Sequence, residues 1–180
     1  LLNYGLLQGG GETQITATSQ AQNEGKLLSC ARMTLNTPQF SGAGWLQSTN
    51  MILNAANATN SGTWIADQAT LTGNTFTSLG TTQAGDLTVN YQQLNNSGTL
   101  LGNNRLTVNA SQVTQQAVGK LFSGGDLWLG SAGFDALGQV VALGNLTLQL
   151  GNAFTTRTAM AAGNTLSISS NGAIVNQHVL

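Results

Sequence analysis

Apolar and polar residues alternate along most of this chain, and the alternation recurs. Four phrases show it: Gly85-Asp86-Leu87-Thr88-Val89-Asn90, Asn104-Arg105-Leu106-Thr107-Val108-Asn109, Gly125-Asp126-Leu127-Trp128-Leu129-Gly130 and Gly144-Asn145-Leu146-Thr147-Leu148-Gln149. In each, a turn-former and a polar residue precede two apolar residues that flank one outward residue. Such alternation predicts a strand with one buried face. The first apolar residues, Leu87, Leu106, Leu127 and Leu146, stand 19, 21 and 19 residues apart. Recurrence near a fixed period predicts a stack of repeats.

The same phase extends both ways. Ile15, Met33, Met51, Leu71, Leu87, Leu106, Leu127, Leu146 and Leu166 form one inward column, with a short 16-residue coil between Leu71 and Leu87. Leu180 would open a further coil. Six residues before these anchors stand Leu27, Trp45, Ile65, Thr81, Leu100, Leu121, Val140 and Met160. Seven or eight after them stand Phe40, Ala58, Leu94, Val113, Phe134 and Phe154. Three inward clusters per coil predict an all-β, right-handed parallel β-helix of about nine coils, each roughly 20 residues long. Residues 1–180 then form one repeat array. No 3.6-residue period with capping signals supports a helical solenoid. A β-sandwich would not keep columns in phase. Neither end carries a polar cap, so the expectation is a fragment of a longer filament.

Turn chemistry repeats too. Gly98, Gly119 and Gly138 share one turn column, and Gly85, Asn104, Gly125, Gly144 and Asn164 share another. Gly and Asn tolerate a left-handed backbone, which explains their recurrence at turns.

Composition changes the picture in one respect. Only 6% of residues are charged, and the formal net charge is −1. That lacks the basic footprint that nucleic-acid binding needs. Stacked coils place like residues above one another, so charged columns would repel, whereas Thr and Asn can hydrogen-bond along the stack. No apolar run approaches the length of a membrane span, so no membrane insertion is expected. The single cysteine, Cys30, excludes an internal disulfide and reads as a small turn residue. His178 has no second ligand for a metal, and Gly9-Gly10-Gly11 lacks the lysine of a phosphate loop. No metal or cofactor site is predicted.

Candidate chemistry sits in two outward columns. The residue before each anchor reads Gln14, Arg32, Asn50, Thr70, Asp86, Arg105, Asp126, Asn145 and Thr165. Asp86, Arg105 and Asp126 would form an ion ladder on successive rungs. The two carboxylates would be about 9–10 Å apart, two strand spacings, which fits an inverting glycosidase only loosely. The Arg between them opposes the raised pKa that an acid catalyst needs. The residue after each anchor forms a Thr ladder broken by Ile52 and Trp128. Trp128 either contacts a sugar or protein partner or folds down over Gly130. Asn36, Asn54, Asn74, Asn90 and Asn109 form a third column, facing inward or outward.

The phrases Asn96-Ser97-Gly98-Thr99-Leu100-Leu101, Gly85-Asp86-Leu87-Thr88-Val89, Gly144-Asn145-Leu146-Thr147-Leu148 and Asn171-Gly172-Ala173-Ile174 resemble the filamentous-haemagglutinin repeat over nearly the whole chain. The resemblance implies two-partner-secretion exoproteins of Gram-negative bacteria: haemagglutinins, adhesins and the CdiA family of contact-dependent growth inhibition. It implies a non-catalytic, secreted or cell-surface filament segment, exported by an outer-membrane transporter partner. Target-cell contact would involve an outer-membrane protein or surface glycan. The Asn-Pro motifs of the family's secretion domain are absent; the only proline is Pro38. A polysaccharide-degrading β-helix enzyme is the catalytic alternative, and the scattered charges oppose it. A specific surface would lie at Trp128 or in the irregular coils before Leu87.

Overall fold

A computed structural model describes residues 1–178, and Leu180 falls outside the described residues. The described chain is all strand and turn, and it forms a parallel β-solenoid of about nine coils. The strand pairings are parallel and join each coil to the next. Four consecutive strands, Trp45–Asn60, Thr63–Ser78, Thr81–Asn96 and Thr99–Gln115, each wrap almost a full coil.

Three inward columns fill the bore. Leu27, Leu46, Trp64, Thr82, Leu100, Leu121 and Val140 form the first. Met33, Met51, Ala69, Leu87, Leu106, Leu127 and Leu146 begin the second face. Phe40, Ala58, Phe76, Leu94, Val113 and Phe134 line the third. Leu87, Leu106 and Leu127 therefore stack on adjacent rungs as expected.

The register corrects the phase of the early coils. Ala69, not Leu71, pairs with Leu87, and Thr13, not Ile15, pairs with Met33. No 16-residue coil exists: from Met33 to Leu87 the coils run 18, 18 and 18 residues. Period-two alternation offers Leu71 and Ala69 equally, and the larger residue misled the assignment by one full pleat. A turn one residue shorter than in the later coils separately exchanges inner and outer residues on the first face. Leu46, Trp64 and Thr82 point inward, whereas Trp45, Ile65 and Thr81 do not. Trp64 is 1% exposed and Trp45 37% exposed.

Trp64 is the centre of an aromatic stack. Its ring lies 5.5 Å from Phe40, edge on, and 5.8 Å from Phe76, nearly parallel. Phe76 lies 5.5 Å from Tyr91. Offset and edge-on rings add to the energy of area burial. Small neighbours in the same core, Ala58, Ala66 and Ala69, leave volume for these rings. Gly73 pairs with Tyr91, and a Cβ there would lie 2.6 Å from the Tyr91 ring and 1.8 Å from the Ala55 carbonyl oxygen.

The turn glycines work by proximity and not by handedness. Gly42, at φ +151°, is the sole described residue with a positive φ. Gly25, Gly44, Gly62, Gly80 and Gly98 instead stack so closely that a Cβ on any one would lie 2.0–2.3 Å from the carbonyl oxygen of the glycine one coil below. The expectation of a left-handed backbone at these turns is thus replaced by close backbone approach.

Beside this glycine column runs a buried polar one. Asn3, Asn23, Asn60, Ser78, Asn96 and Gln115 are all at most 5% exposed. The Asn60 and Asn96 Oδ1 atoms accept the N–H of the glycine two residues on, at 2.9 and 3.2 Å. Their Nδ2 groups donate to the Thr81 and Lys120 carbonyls of the following coil, at 2.9 and 3.2 Å. Asn60 also donates to Thr82 Oγ1 at 3.0 Å, which satisfies the one polar residue in the first inward column. Each amide thus closes its own turn and fastens it to the next.

Candidate functional site

The second face presents three outward columns side by side. In the first, Arg32, Asn50, Gln68, Asp86, Arg105 and Asp126 occupy successive rungs. Gln68 stands where the alternation placed Thr70. Glu12 Oε1 lies 3.6 Å from Arg32 Nη1. Arg105 Nε lies 3.9 Å from Asp86 Oδ1, an exposed pair worth roughly 0–1 kcal/mol. Asp126 turns the other way. Its Oδ1 accepts the backbone N–H of Asn145 at 2.7 Å and the Asn145 side-chain amide at 3.0 Å. The three residues are adjacent as expected, but the ladder closes only on its Asp86 side.

The second outward column reads Thr34, Ile52, Thr70, Thr88, Thr107, Trp128 and Thr147. Thr70 takes the place expected for Thr72. The third reads Asn36, Asn54, Thr72, Asn90, Asn109 and Gly130, without Asn74. It faces outward. Asn54 donates to Asn36 at 2.8 Å and Asn109 to Asn90 at 2.9 Å.

Trp128 joins these last two columns. Its Nε1–H donates to Asn109 Oδ1 at 3.3 Å, one coil below. The indole passes over Gly130, where an added Cβ would lie 3.4 Å from Nε1. The ring therefore leans down and along the strand, tethered by the end of the Asn ladder. On its other side the column steps down to Thr147 and then Ser167. That step opens a groove of about 380 Å³ lined by Arg105, Asp126, Trp128, Asn145, Thr147 and Thr165.

The first face carries a second, more apolar groove of about 260 Å³, where Leu101, Phe122 and Val141 stack outward. The sequence reading missed it. The signal was present as unbroken apolar runs, Leu100-Leu101, Leu121-Phe122 and Val140-Val141, in place of clean alternation. Cys30 is exposed in a turn. The backbone N–H of His178 donates to Asn176 Oδ1 at 3.0 Å. Among the described residues no group of three or more His, Cys, Asp or Glu could hold a metal ion.

Coil-on-coil register, stacked turn glycines and buried turn amides together define a repeat solenoid. The chain belongs to the haemagglutinin-repeat family, whose repeat matches residues 1–37, 40–90, 82–127 and 102–178. It is 48% identical over 176 residues to the tRNA nuclease CdiA of Escherichia coli strain STEC_O31, covering 98% of this chain and 5% of that protein. It is 34% identical to the deoxyribonuclease CdiA of Dickeya dadantii strain 3937, covering 99% of this chain and 6% of that protein. It is 41% identical to the 16S rRNA endonuclease CdiA of Enterobacter cloacae subsp. cloacae, covering 93% of this chain and 5% of that protein. The chain thus spans about one-twentieth of the length of these relatives. No solved structure matches it.

Proposed function

We propose that this chain is a non-catalytic β-helical segment of a secreted, cell-surface filament of a Gram-negative bacterium. It extends the filament and presents a surface for target-cell contact, in adhesion or contact-dependent growth inhibition. One observation carries this reading. Relatives named for three different nuclease activities, on tRNA, DNA and 16S rRNA, share 93–99% of this segment at 34–48% identity. A segment common to all three serves something other than the choice of nucleic acid.

The physical design supports the same reading. Each coil adds one strand spacing, so about nine coils span roughly 40 Å along the axis. Parallel pairing and three inward columns continue from coil to coil, which suits a spacer. Of the carboxylates that a glycosidase would need, Asp86 is drawn to Arg105 and Asp126 accepts from Asn145. Export by an outer-membrane transporter partner follows from the same family reading.

Removing residues 69–105, two whole coils in register, from the parent protein tests the shaft role. Export and target-cell inhibition should persist, with the filament shorter by about 10 Å. Loss of inhibition with export intact would show that these coils do more than span distance. A specific receptor-binding segment for an outer-membrane protein or glycan is the second reading, favoured by the groove beside Trp128. Saturable binding of the purified chain to intact Gram-negative cells, abolished when one surface component is deleted, would establish it.

A further inference from the structure

We propose that the groove beside Trp128 is a subsite for one neutral pyranose unit of a surface glycan, an assignment that rests on this segment being a target-contacting surface. The first support is the ring itself. Its Nε1–H is held by Asn109 and its edge lies over Gly130, so the indole is fixed before any ligand arrives. A pre-placed ring loses little conformational freedom on binding. The step down to Thr147 leaves the opposite side of the ring standing as a wall of the groove.

Polar groups converge on that wall. Asp126 uses Oδ1 for both Asn145 N–H donors, and its Oδ2 has no protein partner among the described residues. The Asn145 amide oxygen and the Thr147 and Thr165 hydroxyls line the same groove, likewise without side-chain partners there. A pyranose offers one apolar C–H face and a rim of hydroxyls that both donate and accept. An aromatic wall beside a carboxylate oxygen, an amide oxygen and two hydroxyls complements both. The groove volume of about 380 Å³ suits a small ligand, not a protein loop.

Charge selects within the sugars. Asp86, Arg105 and Asp126 sum to −1, and Arg105 is already drawn to Asp86. Sialic acids, uronic acids and phosphorylated sugars would meet the free edge of Asp126. Neutral hexoses would donate to it.

The test follows the three tryptophan indole N–H signals of the full chain by NMR. The probes are methyl β-D-galactopyranoside, methyl β-D-glucopyranoside and N-acetylneuraminic acid. Trp64 in the bore and Trp45 on another face serve as internal controls. The expected result is a saturable shift of the Trp128 signal alone, at millimolar neutral glycoside, with N-acetylneuraminic acid weaker by about tenfold or more. Thr147→Gln, which fills the groove and keeps the ring, should weaken binding by about tenfold. Equal shifts at Trp45 and Trp128, equal binding of the acidic sugar, or full binding by Thr147→Gln would each overturn the subsite. Sugar binding without cell binding would keep the subsite and sink the contact role. Cell binding untouched by Thr147→Gln, with no Trp128 shift, would do the reverse.

Discussion

The coils from Met33 to Leu87 and those from Leu87 onward solve the same packing problem differently. The early coils take 18 residues each and spend a single residue, Thr49, Asp67 or Gly85, on the turn between the first and second faces. Phe40, Trp64 and Phe76 form a run in their bore that continues to Tyr91, and the later bore holds a shorter pair, Phe134 and Phe154, 5.7 Å apart. The later coils take 19, 21 and 19 residues, and their turns hold pairs such as Asn103-Asn104 and Gly124-Gly125. Trp128 stands on their outer surface, and the groove beside it draws Asp126 and Asn145 from the ends of those longer turns. The lesson is positional. Both halves share one outward column, from Arg32 to Asp126, and the longer turns add one residue beside it. The early coils, expected from sequence to be the irregular ones, are the most regular.

The sharpest way to break the comparison is Trp64→Ala. Emptying the centre of the aromatic run should cost about 3–5 kcal/mol in denaturant unfolding. A loss below about 1 kcal/mol would mean that the bore collapses around the gap. Gly80→Ala comes next. Its new Cβ would lie 2.1 Å from the Gly62 carbonyl oxygen, and the coils would have to separate. A cost of about 1–3 kcal/mol is expected, measured by thermal unfolding. An unchanged midpoint would remove close approach as the reason for glycine.

Tyr91→Phe sharpens the account from the other side. The Tyr91 hydroxyl is buried without a partner, and burial raises its pKa well above the ordinary tyrosine value near 10. The folded chain therefore holds this proton while the unfolded chain releases it. Stability is full below pH 10 and declines as pH rises above it. Tyr91→Phe should stabilise by about 1 kcal/mol at neutral pH and blunt the alkaline decline. An unchanged alkaline limb would assign that decline to another group. The smallest effect belongs to Trp128→Ala, on the surface of the late coils, at under about 0.5 kcal/mol. A larger loss would make Trp128 structural.

Much of the fold was legible because the solenoid repeats its patterning in register. Leu106 and Leu127 were paired correctly from spacing alone, and so were Asp86, Arg105 and Asp126. The failures have two causes, and one is the turn of the early coils, a residue shorter than in the later ones, which puts Trp45 outside and Leu46 inside. Where a pleat offers two apolar candidates, such as Ala69 and Leu71, size does not reveal which one aligns with its neighbours. Only the pairing partners above and below decide. The buried Asn column escaped notice for a related reason. Asn60 and Asn96 were visible as Asn-Ser-Gly phrases, but exposed Asn54 and Asn109 look the same in composition. What separates them is the glycine two residues on, which marks the turn that the amide closes.

That turn column has a direction. Asn3, Asn23, Asn60, Asn96 and Gln115 each donate a side-chain N–H to a carbonyl on the coil that follows, never on the one before. At these five coils of a growing stack the buried donor awaits an acceptor that the next coil supplies, while Gly42, Ser78 and Ala136 interrupt the series. Laid down from the amino end, the array advances like a ratchet. The coils that carry an amide are locked by their successors, so at those steps the order of synthesis is also the order of completion.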